Sequence, residues 1–163
     1  MVLALGANLG SPRRQLLSAL VALSRSLGPL RVAPLYSSAA VSPIEQPAFL
    51  NTVVTAWSDR SPGELLALAK RLELEAGRVP GPRWSPRPLD VDLLLVGARQ
   101  MRDADLELPH PRLAERPFVL APLADLLPDL TLPPEGRTAR ESLARLPADP
   151  SLVKVPWTGA GAA

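Results

Sequence analysis

Cysteine is absent from this sequence of 163 residues. Its absence excludes disulfides, thiolate zinc sites and cysteine nucleophiles. A membrane-spanning helix needs about 20 consecutive apolar residues. No segment reaches that length, and the first residues, MVLALGAN, lack a basic leader. We therefore expect a cytoplasmic protein with no membrane partner.

Lysine and aromatic residues are scarce. Lys70 and Lys154 are the only lysines among 18 basic residues, aromatics make up 4% of the chain, and the formal net charge is +2. Sheets that recognise RNA display interleaved aromatics and basic stripes. We therefore expect no nucleic-acid partner, and a non-catalytic nucleic-acid-binding module is kept only as an alternative. The arginines that dominate the basic residues carry a planar donor fork suited to phosphate oxygens.

Two common nucleotide-binding motifs are also missing. The chain has no Gly-x-x-x-x-Gly-Lys-Ser/Thr loop, and the stretch from Gly6 to Gly10 does not match the dinucleotide fingerprint. A Walker-type or Rossmann enzyme is therefore not expected. If the chain binds a nucleotide, arginine and metal must hold the phosphates.

The apolar pattern that is present predicts one α+β domain. Hydrophobic residues make up 47% of the chain, enough for one core over residues 1–157, with residues 158–163 as a frayed tail. Alternating apolar residues and turn signals predict strands at residues 2–5, 30–37, 49–57 and 89–96, with helices after Ser11-Pro12 and Ser61-Pro62. This β-α-β-β-α-β order predicts a ferredoxin-like core, a mainly antiparallel sheet flanked by helices.

Capping and proline signals refine the helices. Glu64 and Glu141 complete predicted capping boxes that begin at Ser61 and Thr138. Between residues 109 and 127, three prolines predict a broken helix, at Pro111, Pro117 and Pro122.

The strand at residues 89–96 carries two aspartates, Asp90 and Asp92. Residues two apart on a strand point to the same face, about 7 Å apart, so the carboxylates lie side by side. A hard cation with oxygen ligands relieves their repulsion, and magnesium often binds one or two carboxylates together with substrate phosphates. A solvated strand edge is the competing interpretation of the pair taken alone.

Arginines surround this pair in the sequence. Arg83 and Arg87 precede it closely, and Arg78 follows the second predicted helix. Two carboxylates engaged with metal cannot also neutralise three arginines, whereas a triphosphate supplies charge for both sets. The cluster therefore favours a polyphosphate ligand, with a surface salt-bridge cluster as the alternative.

Five separated motifs point to one family. The run RWSPRPLDVDLL at residues 83–94 is joined by LGANLG at 5–10, QPAFLN at 46–51, Glu73 with Gly77-Arg78, and PHP at 109–111 followed by RPF at 116–118. Together, in this order and spacing, they resemble the 6-hydroxymethyl-7,8-dihydropterin pyrophosphokinases of folate biosynthesis.

The resemblance implies a reaction. The pterin hydroxymethyl oxygen attacks the β-phosphorus of ATP, AMP leaves, and the pterin keeps a diphosphate. Asp90 and Asp92 hold two magnesium ions, and Arg78 and Arg87 stabilise the charge that develops on the phosphates; these four residues form the implied catalytic set. The resemblance also implies a monomer whose partners are ATP and the pterin.

Binding residues follow from the same resemblance. On the ATP side it implies Lys70, Glu73, Arg78, Trp84, Arg87, Leu93, His110 and Arg116. On the pterin side it implies stacking by two rings, a polar edge bound by an amide, and further contacts: Phe49, Phe118, Asn51, Ser38, Val41 and Trp84. An amide offers a donor and an acceptor, which suits the ring edge. Trp84 belongs to a proline-rich loop expected to close over both substrates.

The chain departs from the family pattern at a few positions, and one rival enzyme class remains open. The departures are Ala7, Pro80, Ser85, Asp105 and Pro111, and Pro80, Asp105 and Pro111 are not assigned to the nucleotide site. The rival is another magnesium-dependent transferase that uses a nucleotide donor through the same Asp-x-Asp pair.

Overall fold

The computed structural model describes residues 1–79, 81 and 85–158. It contains four α-helices, one 3₁₀ turn and ten strands within those residues. The helices are α1 Pro12–Leu27, α2 Pro62–Glu75, α3 Pro117–Leu126 and α4 Ala139–Ala144, with the 3₁₀ turn at Leu113–Glu115. The strands are β1 Val2–Ala7, β2 Arg31–Val32, β3 Leu35–Ser38, β4 Phe49–Thr55, β5 Asp90–Leu95, β6 Met101–Arg102, β7 Glu107–Leu108, β8 Thr131–Leu132, β9 Arg137–Thr138 and β10 Val153–Val155.

The main sheet confirms the predicted fold class. Its strand order is β10-β3-β4-β1-β5, with β2 also paired to β4, and every pairing in it is antiparallel. Helix α1 follows β1 and helix α2 follows β4, which completes a ferredoxin-like βαββαβ core. Two short hairpins, β6-β7 and β8-β9, lie outside this sheet. No helix among the described residues has the length and apolar character to cross a membrane.

Both faces of the sheet are covered, because alternate residues of each strand point in opposite directions. On one face Leu3, Val91 and Leu93 join the cluster that includes buried residues of α1 and α2. On the other face Ala4 and Leu94 join the cluster that includes buried residues of α3. The side chains of Asp90 and Asp92 share the register of Leu94, so they point to the α3 face of the sheet.

The predicted helix starts agree with the structure at the two capping boxes, whereas the predicted limits of one strand differ from it at a proline. Both capping boxes form: Ser61 N–H donates to Glu64 Oε2 over 2.8 Å, and Thr138 N–H donates to Glu141 Oε2 over 2.8 Å. The single strand predicted at residues 30–37 is two strands, separated at residues 33–34, where Pro34 has no N–H for the ladder.

The predicted interruption at Pro117 is confirmed, because the 3₁₀ turn ends at Glu115 and α3 begins at Pro117, whereas the one predicted at Pro122 is wrong. Pro117 begins the helix, at a position whose N–H has no partner within the helix. Pro122 lies inside the helix, where it removes one hydrogen bond. The run from Val119 to Leu123 is buried on the sheet, so packing maintains the helix despite that loss.

Candidate active site

A cleft of about 280 Å³ opens on the α3 face of the sheet. It brings together nine of the residues predicted for the site: Ser38, Val41, Phe49, Asn51, Arg87, Asp90, Asp92, Arg116 and Phe118. Five of these were assigned to the pterin and four to ATP or metal, so one cavity collects members of both sets. Phe49 and Phe118 are each half-buried at its wall rather than enclosed in the core.

The two aspartates of β5 are each paired with arginine. Arg78 Nη1 lies 2.6 Å from Asp90 Oδ1, and Arg87 Nη1 lies 2.8 Å from Asp90 Oδ2. Arg116 Nη1 lies 2.7 Å from Asp92 Oδ2. The aspartate side chains are 24% and 30% exposed, so both carboxylates remain open to the cleft. Charge-assisted pairs at these distances hold the side chains in defined positions.

This donor set fits magnesium. Within residues 1–79, 81 and 85–158, no group of three or more histidine, cysteine, aspartate or glutamate side chains is arranged to hold a metal ion. Magnesium does not need such a cage, because it keeps several waters and binds through one or two carboxylates together with substrate phosphates. Asp90 and Asp92 supply two hard oxygen donors on one face of one strand, facing a cleft large enough for further ligands.

Glu73 is a buried charge behind the arginines. Its side chain is 4% exposed and accepts hydrogen bonds from Lys70 Nζ over 3.0 Å, from Val91 N over 2.9 Å, and from Arg78 Nη1. A buried carboxylate is tolerated only when it is paired and hydrogen-bonded. Glu73 therefore fixes Arg78 toward Asp90 and anchors the beginning of β5. Lys70, Glu73 and Arg78 do not line the cleft.

Gly6 gives the cleft its floor on the pterin side. It lies opposite Asn51 in the β1-β4 pairing and opposite Asp90 in the β1-β5 pairing. A Cβ atom at Gly6 would lie 3.1 Å from Asn51 Oδ1 and 3.7 Å from Phe49 Cδ1. Asn51 is oriented by a hydrogen bond from its Nδ2 to Ser38 Oγ over 3.0 Å, and both side chains are buried. Only glycine leaves this space open between the aspartate and the asparagine.

His110 and Arg116 lie beside Asp92, and Arg116 lines the cleft whereas His110 does not. His110 Nδ1 accepts a hydrogen bond from Arg112 N over 3.1 Å, which leaves Nε2 to carry the proton, and Nε2 lies 3.9 Å from Asp92 Oδ2. Burial lowers the pKa of His110; Asp92 opposes this shift, whereas Arg116 reinforces it. The neutral imidazole is therefore favoured. The Arg116 guanidinium also lies 6.0 Å from the centroid of the Phe118 ring, which links the phosphate and pterin sides.

One further predicted residue, Leu93, does not line the cleft. Leu93 is 3% exposed and packs in the core on the face of the sheet that is covered by α1 and α2. Trp84 lies outside the described residues.

Several lining residues were not predicted, among them Gly6, Gln46, Arg112 and Glu115. A glycine within a strand often marks a place where a ligand or another backbone approaches closely, so Gly6 could have been predicted from the sequence. Arg112 and Glu115 had none, because their place depends on how the segment after β7 folds back.

The chain is similar to proteins of one family. A family model described as 7,8-dihydro-6-hydroxymethylpterin-pyrophosphokinase matches residues 2–128. The 2-amino-4-hydroxy-6-hydroxymethyldihydropteridine pyrophosphokinase of Pseudomonas aeruginosa is 44% identical over 146 residues, which cover 88% of this chain and 90% of that protein. A mitochondrial folate synthesis bifunctional protein of Pisum sativum is 44% identical over 128 residues, which cover 78% of this chain and 25% of that protein.

Solved structures agree on the fold. The wild-type HPPK-DHPS of Plasmodium falciparum matches with a TM-score of 0.64 at 14% identity. The match covers 88% of this chain and 43% of the Plasmodium chain, so this chain spans less than half of that protein. At this identity the likeness concerns the fold alone.

Proposed function

The chain belongs to the 7,8-dihydro-6-hydroxymethylpterin-pyrophosphokinase family, and we propose that the cleft between Phe49, Phe118 and Asp90 is its active site. The chain is an enzyme of folate biosynthesis that transfers pyrophosphate from ATP to 6-hydroxymethyl-7,8-dihydropterin, as its motifs predict. The observation that carries the assignment of the site is the shared cavity, which holds the aspartate pair and the aromatic and amide set together.

The reaction requires charge stabilisation more than proton transfer. The pterin hydroxyl oxygen forms a bond to the β-phosphorus and loses its proton, while the bond from that phosphorus to the α-phosphate oxygen breaks and AMP leaves with the electron pair. Asp90 and Asp92 would hold magnesium, which supplies positive charge to the phosphate oxygens. We propose two ions.

The arginines around the carboxylates have a second task in this proposal. Arg78 and Arg87 form ion pairs with Asp90, and Arg116 forms one with Asp92. With the carboxylates engaged by magnesium, the guanidinium groups would be available to the triphosphate, whose oxygens they match in geometry. They would then stabilise the charge that moves toward the α-phosphate as AMP leaves. Lys70 and Glu73 support this arrangement through Arg78, and His110 contributes a neutral donor beside Asp92.

The pterin side relies on stacking and one amide. Phe49 and Phe118 would flank the flat heterocycle, above the floor left open by Gly6. Asn51 would bind the polar edge, with its orientation set by Ser38. Val41, 59% exposed at the rim, completes the set with its backbone.

Further predictions concern the protein as a whole. We propose that residues 1–157 form one domain that acts as a monomer on ATP and the pterin, without nucleic acid. Location in the cytoplasm also stays a prediction.

Product analysis tests the activity. Incubation with ATP, magnesium and the reduced pterin should release one AMP for each pterin diphosphate, and omission of the pterin should abolish AMP release. Release of ADP or of free pyrophosphate would instead indicate the rival nucleotide-dependent transferase. Titration with manganese in the presence of a non-hydrolysable ATP analogue counts the ions, and a stoichiometry of one would contradict the proposed pair.

A further inference from the structure

Asn8 is a buried polar residue that none of the site assignments uses. It follows β1 directly, is 2% exposed, and does not line the cleft. Its Nδ2 donates to Gln46 Oε1 over 2.8 Å and to Pro47 O over 3.1 Å. Its Oδ1 accepts a hydrogen bond from Arg87 N over 2.8 Å. Both amide protons and the amide oxygen are therefore engaged.

The backbone of the same segment strengthens the contact on the Arg87 side. The N–H groups of Asn8 and Leu9 both donate to Arg87 O, over 3.0 Å and 3.1 Å. Both main-chain polar groups of Arg87 are thus bound by residues 8–9. The position of the Arg87 backbone is set by this segment, although the two are 79 residues apart in the chain.

The two segments that Asn8 joins lead to different halves of the cleft. Residues 46–47 precede β4, whose first residues include Phe49 and Asn51 on the pterin side. Arg87 precedes β5, and its guanidinium lies 2.8 Å from Asp90 on the phosphate side. One amide side chain therefore connects the segment that leads to the pterin with the segment that leads to the phosphates.

We propose that Asn8 is a positioning residue that sets the distance between the bound pterin and the bound triphosphate. This inference rests on the proposed function of the cleft. Transfer requires the hydroxymethyl oxygen to approach the β-phosphorus in line, and a misplacement of about 1 Å costs on the order of 100-fold in rate. Asn8 does not touch either substrate; it acts through Arg87 and through the residues that lead to Phe49.

The chemistry of the amide makes the two connections separable. Aspartate at this position keeps an acceptor for Arg87 N–H but has no donors for Gln46 and Pro47. Alanine loses all three hydrogen bonds. Asn8→Asp should therefore release the pterin-side segment alone, whereas Asn8→Ala should release both segments.

The first measurement is backbone hydrogen exchange of the free protein, which does not depend on activity. Asn8→Asp should raise exchange at residues 46–51 and leave residues 87–90 near wild type, and Asn8→Ala should raise exchange in both. The control is Thr55→Val, which removes the 2.8 Å hydrogen bond from Thr55 Oγ1 to Met1 O in the same sheet but joins no part of the cleft. Unchanged exchange at residues 46–51 in Asn8→Asp would overturn the proposal.

The second measurement separates binding from turnover. Asn8→Asp should raise the KM for the pterin by about 10-fold with little change in the KM for ATP, and Asn8→Ala should lower kcat by roughly 100-fold. Thr55→Val should lower thermal stability without either effect. If the Asn8 variants lose activity only in proportion to lost stability, as a purely structural residue would, the proposal is wrong. Failure of the wild type to release AMP would count against the proposed function instead. The hydrogen-exchange result would still show whether Asn8 connects residues 46–51 with residues 87–90.

Discussion

At the scale of single residues, the aspartate pair is held in place by arginines. Asp90 accepts from two arginines and Asp92 from one, each within 2.8 Å. All three arginines lie outside β5, so the carboxylates are oriented by contacts with other segments rather than by β5 alone. Ion pairs at these distances give the two carboxylates defined positions at the cleft.

Replacing Asp92 by asparagine should lower kcat by roughly 100-fold or more, because a neutral amide is a poor magnesium ligand and the charge at the phosphates is then less stabilised. The fold should remain, since the Asp92 side chain is 30% exposed and faces the cleft. Steady-state kinetics at saturating magnesium and a thermal melt check the two statements.

Asp129→Asn is the matched control for this change, because Asp129 is 85% exposed and also pairs with an arginine, Arg140, at 3.5 Å. It should leave kcat unchanged. Near-normal turnover of Asp92→Asn would exclude the metal-ligand role.

At the scale of elements, strand β1 contributes to the cleft through Gly6, which has no side chain. Its position between β4 and β5 places Gly6 between Asp90 on β5 and Asn51 on β4. Any side chain there would occupy the space between the two halves of the cleft. The strand therefore serves as a floor, while its neighbours supply the functional groups.

Replacing Gly6 by alanine should raise the KM for the pterin by about 10-fold, because the new Cβ lies 3.1 Å from Asn51 Oδ1 and forces the amide to shift. The effect on ATP should be smaller. Gly63→Ala is the matched control, since a Cβ at Gly63 meets nothing within 4 Å. Equal kinetic effects of the two substitutions would show that the space at Gly6 is not used by the pterin.

At the scale of the whole molecule, one polar network ties three elements together. Tyr36 Oη on β3 donates to Asp125 Oδ2 on α3 over 2.7 Å, and Lys154 Nζ on β10 lies 2.8 Å from the same oxygen. Burial, and then the hydrogen bond to Asp125, raises the pKa of Tyr36 above its ordinary value of 10.0. Because α3 also carries Phe118, the network helps to hold this ring, which we propose stacks on the pterin, against the sheet.

Replacing Tyr36 by phenylalanine should lower the free energy of unfolding by about 1 kcal/mol at neutral pH. A group whose pKa is raised by folding contributes stability below its unfolded pKa, and this contribution is lost as the pH rises through the folded pKa. The difference between wild type and Tyr36→Phe should therefore shrink above pH 10. Urea unfolding at neutral and alkaline pH measures it, and a constant difference would contradict the expectation.

Local features of this protein were readable from the sequence because they depend on near neighbours. The capping boxes at Ser61 and Thr138 involve residues three apart, and the shared face of Asp90 and Asp92 follows from the strand period. The family and its reaction could be predicted because five motifs match those of the family and occur in the same order.

Other features were decided only by the tertiary structure. Arg116 reaches Asp92 across 24 residues, and Asn8 reaches Arg87 across 79. The burial of Glu73 beneath Arg78 and the persistence of α3 through Pro122 also depend on packing. No local pattern encodes which distant segments meet, because those contacts form only when the helices and the sheet bury their shared core. The sequence therefore determined which groups this enzyme has, and the fold decided which of them face one another.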